Sequence, residues 1–220
     1  MRTPILGPHL IAALALLLGT VQAHAQALVA QLDSDNSSLS FVSVKAGDIG
    51  EVHRFTRLSG GIAEGRLRVD IEVASLDSGI AIRDKRMLEH LFRAADHPRI
   101  RVEATVAVDQ IPMGASQREV DAELLLLGKS HPVRLAVTVV RMPYLLQVAA
   151  SQPLMLNAAS LGLTDALRTL GGLVGGIPIS AAVPVYFNLI FALAPAASSR
   201  YLPYATPNTG GEAPPAAKPD

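Results

Sequence analysis

The chain has 220 residues, a length that suits one domain with appendages. It carries 19 lysines and arginines against 19 aspartates and glutamates, which gives a formal net charge of +0. Because the basic residues alternate with acidic ones, no basic patch is offered to phosphates, and nucleic acid is not expected as a partner. Cysteine is absent, which excludes disulfides and a catalytic thiol. Aromatic residues make up only 4% of the chain, so an aliphatic core is expected.

The first 25 residues have the three-part pattern of a secretory signal peptide. Arg2 supplies a positive charge, residues 10–18 form the apolar run LIAALALLL, and Ala23 and Ala25 occupy the small-residue positions of a cleavage site. The apolar run is too short to span a bilayer. We therefore expect residues 1–25 to be removed and the mature protein to be exported, with an uncleaved N-terminal anchor as the alternative. The absence of cysteine fits a Gram-negative periplasm but does not require it.

The composition of the chain changes toward its C-terminus. Residues 195–220 are rich in Pro, Ala, Ser and Gly with few apolar anchors, which predicts a disordered tail. The preceding stretch 181–197 is strongly apolar, and a membrane helix is one interpretation of it. Apolar residues alternate through 183–193 and Pro184 interrupts the run, so we predict a closing strand instead. The folded domain is thus expected at 26–194.

Alternation of apolar and polar residues predicts most of the strands. In residues 67–73 every odd position is apolar, whereas Arg68, Asp70 and Glu72 are charged, so one face of this strand is buried and the other is wet. Similar segments, about 8–12 residues apart and separated by turn signals, are typical of an antiparallel sandwich or barrel. The predicted strands are 27–32, 38–45, 52–58, 67–73, 100–106, 120–126, 133–139, 145–150 and 183–193, with a turn at 33–37.

The period changes from two to that of a helix after residue 79. Ile80, Met87, Leu88 and Leu91 then fall on one stripe of an α-helix. The pattern predicts a short amphipathic helix at 80–92 that lies over one end of the barrel.

A second helix is one interpretation of the stretch 160–176. Thr164 and Asp165 would cap a helix at 166–170, which the glycine pair at 171–172 would close. A mobile glycine-rich turn is the alternative.

The sequence contains no motif of a known catalytic centre. It has no G-x-S-x-G, P-loop or G-x-G-x-x-G segment, and the histidines make no close ligand pair, so neither a metal nor an enzymatic activity is expected. Asp77, Asp84 and Asp96 near the helix are interpreted as caps and ion-pair partners rather than as catalytic carboxylates. The histidines of the predicted domain are His53, His90, His97 and His131.

The alternation also predicts which side chains face the interior of the barrel. A barrel of eight strands has room either for packed side chains or for one small ligand, and both interpretations stay open. Arg83 and Asp84 at the predicted mouth would either contact a ligand head group or form an ion pair that pins the helix to the barrel, which is the favoured interpretation. The predicted ligand-binding residues are Phe41, Val69, Ile71, Val73, Val102, Leu124, Leu126, Leu135, Val137 and Phe187, with Met87, Leu88 and Leu91 closing the mouth.

Eight short motifs follow one another along the chain: 37–41 (SSLSF), 54–55 (RF), 58–60 (LSG), 73–79 (VASLDSG), 83–84 (RD), 97–100 (HPRI), 128–133 (GKSHPV) and 157–163 (NAASLGL). In this order they resemble the pattern of the YceI-like family. The sequence departs from the family pattern at His97, where an aromatic residue commonly precedes the proline, and at Ser78, where threonine is usual.

The resemblance implies a lipocalin-like barrel in a secreted bacterial protein that binds polyisoprenoid or related lipids, often as a homodimer. The expected function is that of a periplasmic carrier for a long apolar lipid of polyisoprenoid, quinone or fatty-acyl type, with no cofactor other than a bound isoprenoid or lipid. One alternative is an envelope interaction module with a filled barrel. The other is a lipid-modifying hydrolase, which needs two carboxylates, or a Ser and a His, converging at the mouth.

Overall fold

The computed structural model describes residues 28–195. The predicted signal peptide at 1–25 and the predicted tail, apart from its first residue, lie outside these residues. The strands are β1 (Leu28–Lys45), β2 (Ile49–Phe55), β3 (Leu58–Ala63), β4 (Arg66–Glu72), β5 (Leu76–Asp77), β6 (Arg99–Thr105), β7 (Gly114–Leu126), β8 (Lys129–Arg141), β9 (Leu145–Ala150), β10 (Leu154–Asn157) and β11 (Ala182–Pro195). The α-helices are α1 (Ala81–Arg86), which continues as a π-helical turn (Met87–Leu91), and α2 (Thr164–Leu173).

Eight of these strands form a closed ring. The order is β1-β3-β4-β6-β7-β8-β9-β11, and β11 pairs with β1 again, all antiparallel. The closing pair runs from Leu28 opposite Pro195 to Phe41 opposite Val185. The predicted antiparallel lipocalin-like β-barrel with a short helix over one end is therefore confirmed.

The two ends of the barrel differ, and we call them the helical end and the loop end. At the helical end, β2 pairs with the second half of β1, β5 pairs with β2, and β10 pairs with the first residues of β11. Helix α2 contacts the π-helical turn, so both helices cover this end. The loop end carries the loop 106–113 between β6 and β7 and the turn 142–144 between β8 and β9.

Two predictions of where the strands are interrupted are wrong. Residues 33–37, predicted as a turn, are a bulge inside the continuous strand β1, because the pairing with β11 shifts register there and then resumes. Asn36 bonds to the Asp33 carboxylate, while Ser37 Oγ accepts the backbone N–H of Ile190 at 2.9 Å. The segment predicted as one strand at 52–58 is divided at residues 56–57, where the backbone N–H groups turn toward Ser75.

Helix α2 is longer than predicted and has no side-chain N-cap. It begins at Thr164 and runs through the glycine pair to Leu173, so these glycines do not close it. A Cβ atom on Gly171 would lie 2.5 Å from the carbonyl oxygen of Ile177, so the glycine lets the returning chain pack against the helix. Strand β10 was not predicted, because four residues carry too little of a period-two pattern.

Strand β3 is held unusually close to both of its neighbours. A Cβ atom on Gly60, whose φ is +127°, would lie 2.0 Å from the carbonyl oxygen of Arg68 in β4. A Cβ atom on Gly61 would lie 2.2 Å from the carbonyl oxygen of Ala30 in β1. Because these contacts are with backbone atoms, no side-chain movement can relieve them, and the two glycines are required for the ring to close at β3.

We expect Gly60→Ala and Gly61→Ala each to lower the free energy of unfolding by about 2 kcal/mol or more, since a strand must move to admit the methyl group. Gly172→Ala is the matched control, because no atom lies within 4 Å of its added Cβ and alanine favours a helix. Urea denaturation followed by circular dichroism measures all three. Equal stability of the Gly60 variant and the wild type would contradict the tight pairing of β3.

Candidate ligand-binding cavity

The inward faces of the strands enclose a cavity of about 710 Å³. This volume falls within the range of about 300–1,000 Å³ that is usual for small-molecule sites. Every strand of the closed ring contributes apolar side chains to its wall. The cavity distinguishes this barrel from one whose interior is filled by its own side chains.

Ten of the thirteen predicted ligand-binding residues line this cavity, and three do not. Val73 is buried in a short turn after β4, Met87 is buried in the π-helical turn, and Leu88 is half-buried against the core. They pack the end of the barrel instead of facing its interior. The ten that line the cavity are Phe41, Val69, Ile71, Leu91, Val102, Leu124, Leu126, Leu135, Val137 and Phe187.

The sequence interpretation missed one side of the cavity wall. The missed residues of this side come from β9 and from the part of the chain that runs from β10 into α2. The strands there are short, and the sequence left open whether the helix forms. Alternation at 154–158 and the i,i+4 spacing of Leu163 and Leu167 are the signals that point to them. The missed lining residues of this side are Leu146, Val148, Leu154, Leu156, Ala158, Leu161, Leu163 and Leu167.

Aromatic side chains fill the helical end of the barrel. The ring centroid of Phe41 lies 5.8 Å from that of Phe55 and 6.2 Å from that of Phe92, and Phe55 and Phe92 are 5.7 Å apart. The first pair is stacked and the other two are edge-on, and such arrangements are favourable beyond the area they bury. All three rings line the cavity, so they form its floor under the helices.

Behind this floor, next to Phe41, lies the buried residue His53. Its side chain is 1% exposed, its ring centroid is 4.9 Å from that of Phe41, and its Nε2 is 2.8 Å from Ser43 Oγ. Its Nδ1 has no hydrogen-bond partner among residues 28–195. Burial, and then the positive charge of Arg83, lower the pKa of His53 below its ordinary value of 6.5.

The pair formed by Ser43 and His53 does not make a hydrolytic centre. Neither residue lines the cavity, and no carboxylate orients the second nitrogen of the imidazole within the described residues. That part of the chain also contains no group of three or more His, Cys, Asp or Glu side chains that could hold a metal ion.

Arg83 and Asp84 lie outside the cavity lining. The guanidinium of Arg83 donates to Glu51 of β2 at 2.7 Å, and Glu51 also accepts from Lys45 of β1 at 2.6 Å. Asp84 accepts the backbone N–H of Ser78 at 2.9 Å. These bonds join helix α1 to the wall and to the loop before it, and they place both residues away from a ligand.

The opening of the cavity is at the loop end, not under the helix as predicted. The β6–β7 pairing ends at Ala104 and Ala122, so the two strands separate beyond this point. The cavity-lining residues that are exposed to solvent all lie beyond this point. All other cavity-lining residues within 28–195 are buried or half-buried. We call this place the side opening, and it comprises Thr105, Ala107, Gln110, Arg118, Glu119 and Asp121.

The loop 106–113 closes the remainder of the loop end. Val108 and Ile111 in this loop are 4% and 6% exposed, and both belong to the core. Arg141 of β8 donates to the backbone carbonyls of Val108, Asp109 and Ile111 and so fixes the loop over the barrel. The cavity is therefore closed at both ends and opens beside this loop.

Fold and cavity together define a lipocalin-like barrel of eight antiparallel strands around an apolar cavity. The family model of the YceI-like domain matches residues 31–191. The chain belongs to the YceI-like family. None of the helices of residues 28–195 is long and apolar enough to cross a membrane.

Among the solved structures that resemble this chain are the following two. One is a polyisoprenoid-binding domain from Saccharophagus degradans implicated in plant cell wall breakdown, which has 32% sequence identity and a TM-score of 0.72, over 77% of this chain and 99% of that domain. The other is BcnA from Burkholderia cenocepacia, with 20% identity and a TM-score of 0.58, over 72% of this chain and 98% of BcnA. The second likeness shows the fold alone. No curated protein matches this chain.

We expect Arg83→Gln to lower the free energy of unfolding by about 1 kcal/mol, because it removes a partly buried charged hydrogen bond to Glu51. The cavity lining is unchanged, so lipid affinity of the folded variant should equal that of the wild type. Urea denaturation and calorimetric titration with a lipid measure the two effects. A loss of affinity without a loss of stability would place Arg83 at the ligand after all.

We also expect the protein to lose stability as the pH falls below about 6.5. A histidine whose pKa is lowered by folding binds fewer protons in the folded than in the unfolded protein. Its contribution to stability is therefore complete above pH 6.5 and is lost as the pH falls below that value. His53→Gln should show a smaller decrease in Tm between pH 8 and pH 5.5, while the control His90→Gln, at an exposed histidine of the π-helical turn, should follow the wild type. Equal acid sensitivity of all three proteins would exclude His53 as the cause.

Proposed function

We propose that this protein binds one long apolar lipid, of the polyisoprenoid, quinone or fatty-acyl type, inside its barrel. The observation that carries the proposal is the enclosed cavity of about 710 Å³, whose wall is apolar everywhere except at the side opening. The similar domain from Saccharophagus degradans is named for polyisoprenoid binding, which supports the same class of ligand.

The energetics of the wall favour a long hydrocarbon chain. Burial of a methylene group contributes about 0.8 kcal/mol, so about ten buried carbons offset the cost of ordering the ligand. A polar ligand would lose its hydration without gaining hydrogen bonds, since the wall offers donors and acceptors only at the side opening. The protein therefore acts by sequestering a chain, as a carrier or store.

The alternatives receive less support. An interaction module with a filled barrel does not require a cavity of this size. A hydrolase requires reactive groups that converge on the cavity, and the pair Ser43–His53 lies behind the aromatic floor. A binding role without catalysis is what the family and the cavity favour.

We propose further that the carrier works in the periplasm, which rests on the signal-peptide pattern of residues 1–25. The homodimer that the family resemblance implies remains a prediction, and sedimentation of the purified protein tests it.

Mass spectrometry of solvent extracts from the native purified protein should find a stoichiometric long-chain lipid. Leu135→Trp should abolish its retention, because Leu135 lines the cavity and an indole would occupy the space of the chain. Ala136→Trp, on the next residue of β8 and outside the lining, is the matched control and should retain the lipid. Extracts free of lipid, together with no binding of added lipids, would reject the proposed function.

A further inference from the structure

We propose that the side opening holds an anionic head group of the bound lipid and that Arg118 is its counter-ion. This inference rests on the proposed function and adds the chemistry of the ligand's polar end. It assigns a phosphate or carboxylate head, in preference to a neutral one, to the lipid that the barrel carries.

The first observation is where the polar lining residues lie. Thr105, Gln110, Arg118, Glu119 and Asp121 are the polar members of the lining, and all of them belong to the side opening. A head group elsewhere in the cavity would be buried against aliphatic walls without a partner. A lipid with its chain in the barrel therefore places its head at this opening, where the same residues are also exposed to solvent.

The second observation is the charge that remains free at the opening. Asp121 is bonded to Arg134 of β8 at 2.7 Å, and Glu119 lies 3.8 Å from the same guanidinium. Both carboxylates therefore have a cation beside them, Arg134, which is not part of the lining. Arg118 has no carboxylate within 4.0 Å among residues 28–195. The charges of these four side chains cancel, and Arg118 is the one among them whose guanidinium no carboxylate occupies.

The third observation is the position of Arg118 on its strand. It shares the face of β7 that carries the lining residues Val120 and Leu124, and it lies opposite Val137 of β8, which is 2% exposed. The aliphatic part of the arginine can extend along this apolar wall while its guanidinium stays at the water boundary. This is the arrangement that receives a charged head whose chain continues inward.

A guanidinium favours oxyanions over neutral oxygens, because its planar donors match phosphate and carboxylate in two-point hydrogen bonds. Such a bond at an exposed site should favour the anionic ligand over a neutral ligand of the same chain by about tenfold. Higher salt should weaken the preference, since the guanidinium is exposed.

The experiment compares head groups on identical chains, using the full-length mature protein after lipid extraction. Calorimetric titrations use two series of ligands: geranylgeranyl phosphate with geranylgeraniol, and hexadecyl phosphate with palmitate and hexadecanol. Within each series the hydrocarbon chain is nearly the same, so a difference in affinity reports the head group. The second series also compares a phosphate with a carboxylate. We expect the anions to bind about tenfold more tightly than the alcohols. In Arg118→Gln the preference should disappear, because the affinity for the anions falls to that for the alcohols.

Arg99→Gln is the matched control, because it removes one positive charge from an exposed residue at the helical end of the barrel. It should keep the preference for anions. Equal binding of anions and alcohols by the wild type would overturn the inference and leave the proposed function intact. An equal loss of preference in both variants would also overturn it, since the effect would then come from net charge. Failure of every ligand to bind would reject the proposed function itself.

Discussion

The antiparallel pairing of β1 with β11 is the contact on which the structure depends. It joins the first and last strands of the described chain and leaves the ring without a free edge. Closure also fixes which face of every strand is inside, because a shift by one residue would exchange the apolar and charged faces. The outward side chains agree with this register, since Arg101 bonds to Asp70 and Arg68 to Glu103 across neighbouring strands.

The inward faces of the regular strands could be predicted from the sequence, because alternation is a local property. In β4, for example, the apolar positions Val69 and Ile71 line the cavity, and Asp70 between them does not. The bulge at 33–37 could not be predicted in the same way. Its residues are typical of a turn, and only the distant pairing with β11 on both sides of the bulge holds the chain extended. The strand β10 and the full length of α2 also depend on partners far away in the sequence.

The position of the opening shows the same limit of local reasoning. The amphipathic stripe indicated that a helix at 80–92 covers an apolar surface, and Met87 and Leu91 of the π-helical turn are indeed buried. The surface under them is the aromatic floor, however, and not an entrance. The entrance arises because β7 has 13 residues and β6 has 7, so the longer strand continues after the shorter one turns away. The length of β7 was not evident, because its first residues lack apolar alternation.

An empty interior lowers the stability of a protein, since wall atoms lose the dispersion contacts that neighbouring side chains would provide. The barrel compensates for this loss at its ends. Three phenylalanine rings pack against each other at the helical end, and Val108 and Ile111 are packed and anchored through Arg141 at the loop end. The closed ladder of backbone hydrogen bonds holds the wall between them independently of what lies inside. The barrel therefore does not need packed side chains in its centre to stay folded. This is the physical condition that lets it hold a lipid chain there.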